Sequence, residues 1–79
     1  MSDQEKTYGT VDLYLGAYLR ARGIKLVDLD RSGRRVTFLF KDSDKTRKLV
    51  KNFYDNGEVK INVYKSALKD LKSMTYNMP

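Results

Sequence analysis

With 79 residues and neither a cysteine nor a histidine, this chain has to hold itself together by packing alone. A domain of this size buries only about 60–65% of the surface that its unfolded form exposes, so its stability margin is thin. Small domains commonly offset that deficit with disulfides or a structural metal, and the residues for both are missing here. What remains is a closely patterned core or help from a partner, a second copy of the chain included. The chemistry is narrowed in the same way. Without histidine there is no side chain that ordinarily titrates near neutral pH, and without cysteine or histidine there is no conventional zinc site. No enzyme, metal centre, cofactor or small-molecule substrate is expected. Absence of cysteine also fits a cytoplasmic protein. No run of about 18 apolar residues is available to cross a membrane, and the polar start Met-Ser-Asp-Gln-Glu-Lys is unlike a signal peptide.

The pattern along the chain predicts an α+β domain in the order α-β-β-α-(β)-α. Its small antiparallel sheet would be a hairpin plus a possible short third strand, with the helices packed on one side. Residues 1–8 read as a disordered tail, 9–76 as a single domain and 77–79 as a frayed end. Thr10 is the expected N-cap of a first helix running to about Arg22, with Gly23 as its left-handed stop. The apolar arc of that helix is wider than one surface stripe, because Leu13, Tyr14, Ala17 and Tyr18 extend the side formed by Val11, Leu15 and Leu19. Either the helix is sandwiched, or Leu13, Tyr14, Ala17 and Tyr18 meet a protein partner or form a homodimer.

Ile24 to Asp30 and Arg35 to Lys41 read as the two arms of the hairpin, with Arg31-Ser32-Gly33-Arg34 as the turn. The second arm alternates cleanly, with Val36, Phe38 and Phe40 on one face. The first does not, since Ile24, Leu26, Asp28 and Asp30 share a phase, which leaves its register open. Asp42-Ser43-Asp44 caps a second helix from about Asp44 to Tyr54. Thr46, Leu49, Val50 and Phe53 form its core stripe, and Asp55-Asn56-Gly57 stops it. Residues 58–61 form either the third strand or a linker. Asn62 is the expected cap of a third helix with Tyr64, Ala67, Leu68, Leu71 and Thr75 buried and Lys65, Lys69 and Lys72 in a ridge beside them. Phe38, Phe40, Phe53, Leu49, Leu68 and Leu71 are the expected centre of the core.

Charge is the first functional signal, and the six tyrosines are the second, since Tyr14 and Tyr18 could cover the core edge, stack on bases or anchor a protein interface. The chain carries a net charge of +6, and residues 20–51 hold eleven Lys or Arg against four Asp. Arg31, Arg34 and Arg35 crowd the hairpin tip, Lys45, Arg47, Lys48 and Lys51 line the second helix, and Arg20, Arg22 and Lys25 follow the first. Such a block is the footprint of a nucleic-acid binder that holds phosphates with guanidinium forks and ammonium groups, although a solvated helix face carries similar charge. No helix-turn-helix, RRM, KH or zinc-finger pattern is present. Asp28 and Asp30 are the one carboxylate pair with the spacing of a divalent-metal site, and Asp12, Asp42 or Glu58 would have to complete it. Pairing across the hairpin with Arg35 or Lys41, or plain solvation, is the expectation for them.

The spread of Thr10-Val-Asp-Leu-Tyr-Leu-Gly-Ala-Tyr-Leu, Gly23, Phe38-Leu-Phe40, Leu49-Val50, Phe53-Tyr54, Val59, Tyr64, Leu68 and Leu71-Lys72 resembles a family of short prokaryotic and phage domains of unknown function. The likeness covers residues 9–76. It implies a phage or mobile-element origin and carries no catalytic residues. With that origin come two expected roles, nucleic-acid binding and interference with a host defence or replication protein.

Overall fold

Burial of two aromatic rings, Phe38 and Phe40, on one face of a strand organises the molecule. The computed structural model describes residues 6–76. In chain order its elements are β1 (Thr7–Thr10), α1 (Leu13–Ala21), β2 (Leu26–Asp30), β3 (Thr37–Lys41), α2 (Asp44–Tyr54) and α3 (Ile61–Tyr76). The three strands form one antiparallel sheet in the order β1-β3-β2. The α+β class and the two arms of the hairpin are as the sequence pattern predicts, and the third strand is elsewhere.

That third strand is β1, which begins in the stretch expected to be tail and ends on Thr10, the residue expected to cap the first helix. Its register, Tyr8↔Phe40 and Thr10↔Phe38, puts Tyr8 and Thr10 on the core face. The ladder extends one step further through Asp42 N–H donating to Lys6 O (2.9 Å). Thr-Tyr-Gly-Thr has too little apolar alternation to announce a strand, and it becomes one because β3 has a free edge to offer it. Residues 1–5 and 77–79 of the expected tails lie outside the described residues. Residues 58–60 carry no strand pairing: Arg22 Nη1 donates to Glu58 O (2.9 Å), and the segment serves as the link into α3. Ile61 is the first residue of α3 and is exposed, so Asn62 sits inside the first turn rather than at the cap.

The open register of β2 is resolved by a bulge. Leu26 pairs with Phe40 and Asp28 with Leu39, which leaves Val27 between them without a partner. Beyond the bulge Leu29 joins Phe38 on the core face, and Asp28 and Asp30 turn to the outer face. A regular register would have directed both carboxylates into the core, at a cost of several kcal/mol for each buried charge. The connection to β3 is also longer than the expected turn. Strand pairing ends at Asp30↔Thr37, so residues 31–36 form a loop and Arg35 is in the loop, not in the strand.

Helix α1 begins two residues later than the Thr10 cap implies. Asp12 is the N-cap, and its Oδ1 accepts from Tyr14 N–H (2.9 Å) and Leu15 N–H (3.3 Å). Its end follows the expectation: Gly23 has φ +91°, and Ile24 N–H bonds to Leu19 O while Gly23 N–H bonds to Arg20 O, the paired bonds of a Schellman stop. Every residue from Leu15 to Leu19 is buried. This helix is sandwiched. Ala17 and Tyr18, at 0% and 2% exposure, are therefore unavailable to a partner chain, and Leu13 is half-buried. Of the four residues expected at a protein interface only Tyr14 is well exposed, and the other three serve the core.

The enclosure of α1 depends on small residues. Gly16 faces α3 and the sheet together, where an added Cβ would sit 3.1 Å from Leu71 Cδ1 and 3.6 Å from the rings of Phe38 and Phe40. The core comprises Leu15, Ala17, Tyr18, Leu19, Ile24, Phe38, Phe40, Leu49, Ala67 and Leu71. Phe53 and Leu68, expected at its centre, and Tyr64, expected to be buried, pack at its margin. Tyr64 is drawn outward because its hydroxyl donates to Tyr14 O (3.3 Å). Thr46 is fully buried with its hydroxyl donating to Lys41 O (2.6 Å), and Ser43 Oγ caps α2 by accepting from Thr46 N–H (3.2 Å).

Tyr18 is the polar handle of this core. Its ring packs on Phe53 with centroids 5.6 Å apart, and its hydroxyl accepts from Arg22 Nη1 (3.0 Å). Gly57 closes over that hydroxyl while its N–H bonds back to Asn52 O (2.6 Å), and Asn56 takes the left-handed conformation (φ 63°) that the stop requires. A methyl group at Gly57 would run into both Tyr18 Oη and the Asn52 carbonyl. Gly57→Ala is expected to destabilise the fold by about 1–3 kcal/mol through overpacking. Gly33→Ala, where a Cβ meets nothing within 4 Å, is expected to be neutral or slightly stabilising. Urea unfolding of the two variants beside the parent checks the contrast.

Candidate nucleic-acid interface

The cations expected to act together are sorted by the fold into separate groups. Three of them are engaged by the protein itself. Arg22 is bound to Tyr18 Oη and Glu58 O, with its guanidinium carbon 5.7 Å from the centre of the Tyr18 ring. Arg47 forms a fork with Asp42, Nε to Oδ1 at 3.3 Å and Nη2 to Oδ2 at 3.1 Å, and the carboxylate beside it raises the guanidinium pKa further. Arg20 lies 3.8 Å from Asp70 in a half-exposed pair, worth at most about 1 kcal/mol. Arg47 leaves the expected phosphate-binding set because Asp42 occupies its fork, and Arg22 is turned toward the protein because its Nη1 is committed to Tyr18 Oη and Glu58 O.

Lys45, Lys48 and Lys51 are exposed on α2, as expected, but not beside the arginine loop. The loop 31–36 leads into β3 at Thr37, whereas α2 follows from its far end at Lys41. The α2 lysines and the loop arginines are therefore held at opposite ends of a strand.

The loop arginines meet α3 instead. Arg31 Nη2 donates to Met74 O (3.4 Å) near the carboxyl end of that helix, where backbone carbonyls lack helical partners and favour a cation. Between the loop and the helix lies an open groove of about 520 Å³. Arg31, Arg34, Arg35 and Lys72 provide its charge, and Val11, Leu13, Val36 and Tyr76 provide apolar surface. A second shallow groove runs along α3 past Lys65, Lys69 and Lys72 to Tyr76. The two grooves share Lys72 and Tyr76, and no carboxylate lines either one among the described residues. The result is a continuous cationic surface from the loop along α3, with the exposed ring of Tyr76 at its junction. The spacing of Lys65, Lys69 and Lys72 is legible in the sequence, but their union with the loop arginines is not.

A family model described as a domain of unknown function, DUF5659, matches residues 5–77. The chain belongs to the DUF5659 family. No curated protein and no solved structure matches it.

In this DUF5659 domain Asp28 and Asp30 share the outer face of the sheet, as their spacing predicts, but each is held locally. Asp28 Oδ1 accepts from Leu29 N–H (2.8 Å). Asp30 Oδ1 accepts from Ser32 N–H (2.9 Å) and Ser32 Oγ (2.7 Å), which shapes the start of the arginine loop as an Asx turn. Neither forms an ion pair with Arg35 or Lys41 among the described residues, and no group of three candidate metal ligands gathers there. No helix among the described residues is long and apolar enough to cross a membrane.

The bonds from the Ser32 backbone and then its hydroxyl hold the Asp30 carboxyl below its ordinary pKa. A lowered folded-state value means that the turn is favoured above the usual carboxylate range, near pH 4, and is lost as pH falls through the folded pKa. Amide exchange at Ser32 is expected to accelerate below that range relative to its intrinsic rate. Asp30→Asn is expected to remove this pH dependence, and two-dimensional NMR across an acid titration measures both effects.

Proposed function

We propose that this DUF5659 domain binds nucleic acid through the surface formed by Arg31, Arg34 and Arg35 of the loop and Lys65, Lys69 and Lys72 of α3. The observation that carries the reading is the continuity of the two grooves at Lys72 and Tyr76, with no carboxylate in their lining among the described residues. Arginine offers a planar fork to phosphate oxygens, and the single long bond from Arg31 to Met74 O leaves most of its donors free. The α3 lysines add mobile point charges along a straight track. Such contacts act on the phosphate backbone, so affinity falls with salt and depends little on base sequence. A phage or mobile-element accessory protein that coats or escorts nucleic acid fits this chemistry, and the sequence resemblance supports that origin.

Fluorescence anisotropy with labelled oligonucleotides across a salt series tests the reading. Charge reversal at Arg34 and Arg35 is expected to weaken binding at low salt. Each lost phosphate contact should flatten the slope of log K against log salt by roughly 0.7–0.9. Reversal at Lys45 and Lys48, on the separate α2 face, is expected to have little effect. Undetectable binding at low salt, or an equal loss from the α2 variant, would overturn the assignment.

A further inference from the structure

The surface combines two things that a duplex backbone alone does not need. Its cations follow a line, and that line ends on apolar and aromatic surface. Lys65, Lys69, Lys72 and Tyr76 stand at successive steps of four, three and four along α3, so they share one side of the helix. Tyr76 is 79% exposed, and Val11, also well exposed, stands with it in the groove under the loop arginines. Stacked bases of a duplex present only their edges, which leaves such a surface without a matching partner. An unpaired base has a free face and matches it well.

We infer that the preferred ligand is single-stranded nucleic acid, with its phosphates tracking Lys65, Lys69 and Lys72 and a base stacked on Tyr76 at the mouth of the Arg31/Arg34/Arg35 groove. This rests on the nucleic-acid reading above. Aromatic stacking tolerates any base because every base has a π-face, and a neighbouring guanidinium strengthens it. The path from Lys65 to Tyr76 covers about 16 Å along the helix axis. With the loop arginines beyond it, the site suits about four nucleotides, at the short end for single-strand binders. The half-buried Leu13 and Val36 stay in the groove wall, where a base edge displaces water from apolar surface.

The test compares four probes on the full chain: a short oligo(dT), a duplex of the same length, an abasic oligomer of the same length, and heparin. Tyr76→Ala and Tyr76→Phe are measured beside the parent, with thermal unfolding to confirm the fold that the exposure of Tyr76 allows them to keep. The expected result is preference for oligo(dT) over duplex and abasic strand. Tyr76→Ala should lose roughly tenfold on oligo(dT), within the range of one base–aromatic stack. It should lose nothing on the abasic strand, and Tyr76→Phe should retain parental binding. Failure of all four probes to bind at low salt would remove the nucleic-acid reading itself. Equal binding of all four would leave a polyanion surface standing and overturn the single-strand assignment. A single-strand preference indifferent to Tyr76→Ala would overturn the stacking site.

Discussion

Enclosure of α1 is the constraint from which the rest of the molecule follows. A helix of nine residues is too short to be stable alone, so its helicity depends on what covers it. Here α3, α2 and the sheet all cover it, and the five buried residues from Leu15 to Leu19 leave it almost no solvent side. Gly16 lets Leu71 and the Phe38 and Phe40 rings approach from two layers at once. Tyr18 brings a hydroxyl into the same interior, and Arg22 meets it while also tethering the chain after α2. With no cysteine or histidine to draw on, the domain concentrates its close packing in this one element.

That arrangement also sorts the positive charge. Arg22 sits one helical turn past Tyr18 and is drawn into supporting the core. Arg47 completes the start of α2 with Asp42, and Arg20 leans toward Asp70. The loop arginines have no comparable task inside the core. Only Arg31 reaches back, and by binding the Met74 carbonyl it lays the loop against the end of α3. A loop attached there turns three cations near one another in sequence and three helical lysines thirty or more residues away into one surface. The Asx turn at Asp30 helps by starting the loop away from the strand direction.

Much of this was legible locally. The limits of α2, its buried Thr46-Leu49 stripe, the Gly23 stop and the alternation of Phe38 and Phe40 follow from capping chemistry and periodicity, which act over a few residues. The misplaced third strand has the opposite cause. Val59 and Ile61 alternate, yet nothing pairs with them, while Thr7–Thr10 has a weak pattern and pairs fully. Strand formation is decided by the partner, and the partner of Tyr8 is Phe40, far along the chain. The candidate site was half legible for the same reason: the loop arginines stood out, but the groove beside them is shared with Lys72 of α3 and not with the α2 lysines.

By itself, then, the sequence determined the class of fold, the absence of histidine and cysteine chemistry, and the concentration of positive charge, because composition and short-range periodicity need no knowledge of contacts. Only the tertiary structure decided which strand completes the sheet, which face of β2 is buried after the Val27 bulge, that Ala17 and Tyr18 belong to the interior, and which cations share a surface. Each of those depends on free edges, close approaches and hydrogen-bond partners supplied by distant segments. The physical origin of the difference is that local preferences are set by a residue and its neighbours, whereas burial and charge grouping are set by what the folded chain brings against them.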